Sequence, residues 1–380
     1  MTRHTCRGIS LGRLAIFAVA TVPAFASAQQ NFDFDLRETG EAVAIEQKAP
    51  GYPGGSVRRG QEGWVRMSYV VTPGGQAIDP VILNSSGGSG FENEARQVMP
   101  DWRFEPGDVE LPYNIANIRS EINRGRDAAT SNFIRRTKRI LIHLHNEEVV
   151  EARKQADAAY EMGGWNLYES TMLWLMLGRV DGAENNSAGK LEMYSRALEM
   201  GNSTAIPSDD RVELLEKIFL LQSHFQQYAA ALVTRGRLED VRGNEEAMER
   251  TAERAREMEQ KLAGDDVTTA KATIYNPCDC DEGEPLWHYV PARRTFSFAN
   301  ANGNVERFEA RCEGQRISGD FEPEKTWTLA PEWGFCRIIV FGSDGATFDF
   351  LEYPHDGEEG AVDNSAVARN HVLDQRNRSQ

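Results

Sequence analysis

The pair His143/His145, the cysteines of the last third, one glycine-rich run and a surplus of carboxylates are the groups in this 380-residue chain that could do chemistry. His143 and His145 lie two apart in a helical stretch, where a period of 3.6 residues points them to different faces, so they cannot share a metal ion. Cys278-Asp279-Cys280-Asp281-Glu282 sets soft thiolates beside hard carboxylates. No second ligand pair stands at zinc-site spacing, however, and nothing basic flanks the run to lower a thiol pKa for redox work. In an exported chain Cys278 pairs with Cys280, or one of them with another cysteine; the spacing does not choose. Ser85-Ser86-Gly87-Gly88-Ser89-Gly90 matches neither a phosphate loop nor a nucleophile elbow. Carboxylates are abundant, which keeps an exported hydrolase as an alternative, but no pair is marked by an apolar setting that would raise one pKa. The chain is therefore read as non-enzymatic, with no catalytic, cofactor-binding or metal-binding residues.

The N-terminus carries Arg3, Arg7 and Arg13, an apolar run from Leu14 to Phe25, and Ala26-Ser27-Ala28. A basic flank, a short apolar core and a small-x-small ending predict a secretory signal peptide over residues 1–28, cut after Ala28. The apolar run is shorter than the ~20 residues a spanning helix needs. Losing Arg3, Arg7 and Arg13 with no acid moves the formal net charge from -16 to -19. So acidic a chain excludes nucleic-acid binding, whose affinity rests on Lys and Arg. Cys6 leaves with the leader, and Cys278, Cys280, Cys312 and Cys336 remain, an even number that fits disulfides.

Residues 29–48 form a polar lead. From Gly63 to Val71 the side chains alternate, with Val65, Met67, Tyr69 and Val71 on one face and Trp64, Arg66 and Ser68 on the other, the pattern of a half-buried strand. Pro73-Gly74-Gly75 supplies the dihedrals of a hairpin turn. Ile78 to Asn84 returns, with Pro80 marking a bulge or an edge. Phe91, Ala95, Val98 and Met99 fall at helical spacing and stop at Pro100. Tyr113 to Ile122 is a last strand, whose apolar positions shift phase between Ile115 and Ile118 and so predict a bulge or altered register.

Strand, strand, helix, strand in that order carries Tyr52-Pro53, Glu62-Gly63-x-Val65, Val71-Thr72-Pro73-x-Gly75, Asn84-Ser85 and Trp102-Arg103-Phe104-Glu105-Pro106. These words at these spacings resemble the TonB C-terminal domain, the periplasmic module that grips outer-membrane receptors, over residues 49–126. The resemblance implies that an extended receptor peptide adds to the sheet edge beside the last strand, main-chain hydrogen bonds giving affinity and side-chain pockets selectivity. Carried onto this chain, the contact residues are Tyr52, Pro53, Tyr113, Ile115, Asn117 and Arg119. The long Pro-rich spacer and the membrane histidine of a TonB anchor are not matched.

Residues 131–264 are helical by pattern. Trp174, Leu177, Gly178, Tyr194 and Ala197 follow the large–small spacing of a tetratricopeptide repeat, with starts near Ser131, Asn166 and Asp209. Lys190, Asp181 and Asn202 depart from that repeat. A charged stretch from Asn244 to Leu262 reads as a polar cap. Residues 275–354 return to strands, with Asn302-Gly303 and Asp344-Gly345 as hairpin turns and a disulfide between Cys312 and Cys336. Closing that loop stabilises a small domain by about 3 kcal/mol in the chain-entropy model. Residues 355–380 read as a disordered tail. The expected fold class is thus α+β and multidomain: a TonB-C-like ββαβ domain, a TPR-like α-helical array and a small disulfide-bonded antiparallel β domain. The expected function is that of an exported periplasmic adaptor without cofactors, whose partner is a protein such as an outer-membrane receptor peptide. It does not insert in a membrane once the signal is cut. A genuine TonB-type energy transducer, its N-terminal segment an uncleaved anchor, is the other alternative.

Overall fold

Alternation along Gly63–Val71 does produce a strand, and a four-stranded sheet is laid around it. The computed structural model describes residues 33–39, 42–87, 89–122, 129–201, 205–277 and 283–354, with backbone alone for 33–39 and for Ser89. The expected signal peptide, the Cys278/Cys280 run and the expected tail lie outside the described residues, as does the side chain of Ser89.

The first part of the chain runs β1 (Asp33–Thr39), β2 (Ala44–Glu46), α1 (Gly54–Arg59), β3 (Gly63–Val71), β4 (Ala77–Ser85), α2 (Ser89–Val98), β5 (Arg103–Phe104) and β6 (Leu111–Glu121). The sheet order is β1-β6-β3-β4, and β2 pairs with β5 apart from it. At the β3–β4 turn Gly75 has φ of +75°, and a Cβ there would sit 2.2 Å from the Phe104 carbonyl oxygen, so only glycine fits. Pro80 lies on β4, the outer strand, where the missing N–H is harmless. The β3–β4 register slips between Arg66 and Met67 and between Ser68 and Val70. Val65, Met67, Tyr69 and Val71 pack with Phe91, Ala95, Trp102 and Phe104 as one core. The other face of β3 is not solvated, as a half-buried strand requires. Trp64 and Ser68 are buried as well, because later parts of the chain cover them.

Among the described residues seven helices follow: α3 (Ser131–His145), α4 (Val149–Met162), α5 (Leu167–Ala183), α6 (Ser187–Met200), α7 (Ser208–His224), α8 (Tyr228–Glu239) and α9 (Glu245–Ala263). Each packs on the next in sequence, and α3 also meets α5 as α9 also meets α7. Asn166 and Glu169 form a reciprocal capping box at the start of α5. Gly178 lets α6 come close: a Cβ there would be 2.5 Å from the Tyr194 ring. Among the described residues no helix is long and apolar enough to cross a membrane.

The chain ends in β7 (Thr268–Thr273), β8 (Leu286–Tyr289), β9 (Thr295–Asn302), β10 (Val305–Cys312), β11 (Arg316–Asp320), β12 (Trp327–Thr328), β13 (Cys336–Gly342) and β14 (Thr347–Tyr353). They form two antiparallel sheets, β11-β10-β13-β8 and β12-β9-β14-β7. Here two expectations are corrected. Asn302-Gly303 and Asp344-Gly345 do not close ladder hairpins, since β9 and β10, and likewise β13 and β14, belong to different sheets. Both turns are corners, with Gly303 and Gly345 at positive φ. The reason is the core: Phe296, Phe298 and Phe350 from one sheet meet Phe308, Ile338 and Val340 from the other. Burying aromatic side chains between two layers outweighs local pairing. The second correction is β7, a strand that lies ahead of residue 275, where the strands were expected to begin. The expected bond between Cys312 and Cys336 is present, joining residues that face each other across β10 and β13.

Candidate functional site

β6 is the strand on which partner binding was expected, and its outer edge is already filled. β1 pairs with it antiparallel from Asp33 opposite Glu121 to Thr39 opposite Ile115, and residues 111–114 of β6 lie outside this pairing. The polar lead therefore contains a strand. Composition hid it, because ladder hydrogen bonds come from the main chain and need no apolar run. The one visible sign is Phe34 and Leu36, two apart. Nor is there a bulge between Ile115 and Ile118. Register with β3 is continuous there and slips only between Tyr69 and Val71. The two isoleucines face opposite sides, and both sides are buried: Ile118 joins the core under α2, while Ile115 packs with Leu83, Leu286, Ile339 and Phe341.

On that second face Tyr113 and Ile115 are buried, whereas Asn117 and Arg119, and Tyr52 and Pro53 elsewhere, are half-buried. The Tyr113 ring stands edge-on to Phe335 at 5.2 Å. Arg119 donates to the Met200 carbonyl at 2.6 Å and to Glu121 at 3.0 Å. Asn117, half-buried, lies opposite Arg66 in the ladder. Tyr52 donates its hydroxyl to the Gln61 carbonyl at 2.6 Å and packs edge-on against Phe91. Burial, then the charges of Glu62 and Glu121, push that hydroxyl well above the usual phenol range. Pro53 precedes α1 and packs against Gly90. The structure thus brings Tyr52 and Pro53 to the α2 side, and Tyr113 and Ile115 to the opposite face.

Neither histidine of the pair first considered builds a metal site. His143 Nδ1 lies 2.5 Å from a Glu148 oxygen, and among the described residues no group of three or more His, Cys, Asp or Glu is placed to hold a metal ion.

A polar cluster that sequence reasoning missed lies behind β3. Glu199 of α6 accepts from Arg66 at 2.5 Å and from the Asn84 amide at 3.2 Å. Burial alone would raise this carboxyl, but Arg66 foremost, with His288, Arg237 and Asn84, holds it at about 2. Arg337 Nη1 donates to His288 Nδ1 at 3.0 Å, which puts the proton of the neutral ring on Nε2. Burial and the Arg337 charge depress the imidazole to about 3, so it is uncharged at neutral pH. Arg66 and Glu199 are 133 positions apart, and no local pattern links them.

Residues 48–119 match the family model described as the Gram-negative bacterial TonB protein C-terminal. They carry a TonB C-terminal domain. Protein TonB of Yersinia enterocolitica is 36% identical over 62 residues, which is 16% of this chain and 24% of that protein. Protein TonB of Escherichia coli K12 is 34% identical over 64 residues, or 17% and 27%. The solution NMR structure of the Pseudomonas aeruginosa TonB CTD is 26% identical, covers 23% of this chain and 92% of its own, and gives a TM-score of 0.20. The chain thus spans about a quarter of the length of these two curated relatives. β1 lies ahead of the matched TonB segment, and the helices and the two-sheet region follow it.

Proposed function

We propose that this protein is a non-enzymatic adaptor of the periplasm whose TonB domain accepts an extended segment of an outer-membrane protein along β6. β1 holds that edge until the partner arrives. The pairing of β1 with β6 carries the reading, since an edge that accepts one backbone antiparallel accepts another by the same main-chain bonds. The helices, read as a TPR-like array, and the C-terminal strands act as the frame that keeps the opposite face of the sheet covered. A partner competes with a tethered strand whose effective concentration is in the millimolar range for a short connection. Its apparent affinity is lowered by the fraction of molecules with a vacant edge.

The test is a full-length chain with Leu36→Pro and Arg37→Pro. Neighbouring residues of a strand point their N–H groups to opposite sides, so one of the pair removes a donor to β6 whichever register bond it serves. Hydrogen exchange on the outer edge of β6 is expected to quicken in this variant. A synthetic peptide of residues 31–41 is expected to bind it at least about tenfold more tightly than it binds the wild type. If the β6 amides are released and the peptide still does not bind, the edge is not a strand acceptor and the reading fails.

A further inference from the structure

A cavity of about 260 Å³ opens where β3 and β4, helices α6 to α8, and strands β8 and β13 meet. Its charged lining comprises Arg66, Arg237, Lys271 and Arg337 against Glu192 and Glu199. That is an excess of two positive charges in a chain whose net charge is -16. Two of these groups are neutralised from outside the lining, Lys271 by Asp349 at 2.8 Å and Glu192 by Arg196 at 2.7 Å. Three guanidiniums are left facing the single carboxylate of Glu199.

Arg66 takes that carboxylate directly, and Arg337 spends one N–H on His288. Arg237 makes no hydrogen bond and no ion pair from its side chain among the described residues. Burial works against its charge, Glu199 supports it, and Arg66, Arg211 and Arg337 oppose it. The Nε atoms of Arg66 and Arg337 are buried and meet no acceptor among the described residues. Guanidiniums gathered out of bulk water and short of acceptors are costly to keep, unless an anion completes them. Their planar forks match carboxylate and phosphate oxygens two at a time. Leu83, Leu191 and Val233 make other parts of the wall apolar. The volume admits a metabolite-sized molecule, not a folded partner.

We propose that this cavity binds a small organic oxyanion, its carboxylate or phosphate head seated between Arg237 and Arg337 and its body against the apolar wall. The test is isothermal titration and thermal unfolding of the full chain at pH 7 with sodium phosphate and, separately, sodium succinate. Sodium chloride at matched ionic strength is the control. Saturable one-to-one binding of either anion, with a rise in Tm over chloride, is expected, and whichever arm binds identifies the head group. Arg237→Gln is expected to weaken that binding by about tenfold or more, as loss of charge-assisted hydrogen bonds does. In chloride alone it should be at least as stable as the wild type, since it relieves repulsion among the arginines. Absence of saturable binding in both arms overturns the proposal, as does unchanged binding in Arg237→Gln. So would a loss of stability of Arg237→Gln in chloride, which would make the arginine a support of the fold.

Discussion

Glu199→Ala is expected to lower the stability of the chain by about 3 kcal/mol at pH 7, the scale on which removing one partner of a buried ion pair is felt. The carboxylate joins α6 to Arg66 on β3 and Asn84 on β4, so its loss strands Arg66 beside Arg237 and Arg337 with no acid among them. The pH dependence has a definite sign. The folded-state pKa of about 2 lies below the ordinary value of 4.5, so the contribution of Glu199 is fully present above about pH 4.5. It is lost as pH falls toward 2. The gap in urea midpoint between wild type and Glu199→Ala therefore stays level from pH 8 to pH 5 and closes below pH 4. His288, whose depressed pKa costs stability as pH falls from 6.5 toward 3, is present in both proteins and largely cancels. A level gap down to pH 2, or no gap at pH 7, would refute the assignment.

What could be read along the chain was whatever depends on near neighbours. The alternation in β3, the Gly75 turn, the Pro100 stop and the helix start near Asn166 each express a local rule, and each stands where its residues put it. The two cysteines that flank β-rich segments also bond as their position implied. What could not be read depends on surfaces meeting across the fold. Ile115 and Ile118 looked like a phase error because a strand covered on one face needs one phase, whereas β6 is covered on both. Asn302-Gly303 has the right dihedral preferences for a hairpin, but those preferences do not say whether the flanking strands pair or part into two layers. β1 was faint for a third reason, since edge pairing is satisfied by any backbone that reaches it and only a short apolar alternation marks it. The missed arginine cluster combines residues from β3, α8 and β13, each of which by itself reads as an ordinary solvated charge.

Arg293→Ala is expected to cost about 4 kcal/mol, because one guanidinium ties the last helix to the closing strands. Arg293 is 8% exposed. It donates to the carbonyls of Lys261, Leu262 and Gly264 at the end of α9, to Asp266 before β7, and to Glu352 on β14. The final carbonyls of a helix have no partners within it, so a cation placed there serves as a cap. Hydrogen bonds to a charged donor contribute about 1.5–3 kcal/mol each, and relaxation of the α9–β7 connection keeps the total well below their sum. Arg293→Lys should recover less than half of the loss, as an ammonium cannot span so many carbonyls. Beside it the Glu352 carboxyl accepts from the Ala292 and Arg293 amides at 2.6 and 3.0 Å. Burial nevertheless pushes it up to about 7, against those amides and the Arg293 charge. A folded-state value above the ordinary 4.5 means its contribution is complete below pH 4.5 and disappears as pH rises through 7. The wild type should therefore lose stability between about pH 4.5 and pH 7 and level off above that, and Glu352→Gln should abolish that slope. In Arg293→Ala, with the opposing cation gone, the carboxyl moves higher still and the slope shifts to more alkaline pH. Unfolding midpoints measured on the three proteins across pH 5 to 9 decide it, and a shift in the acid direction would show that Arg293 does not act on Glu352.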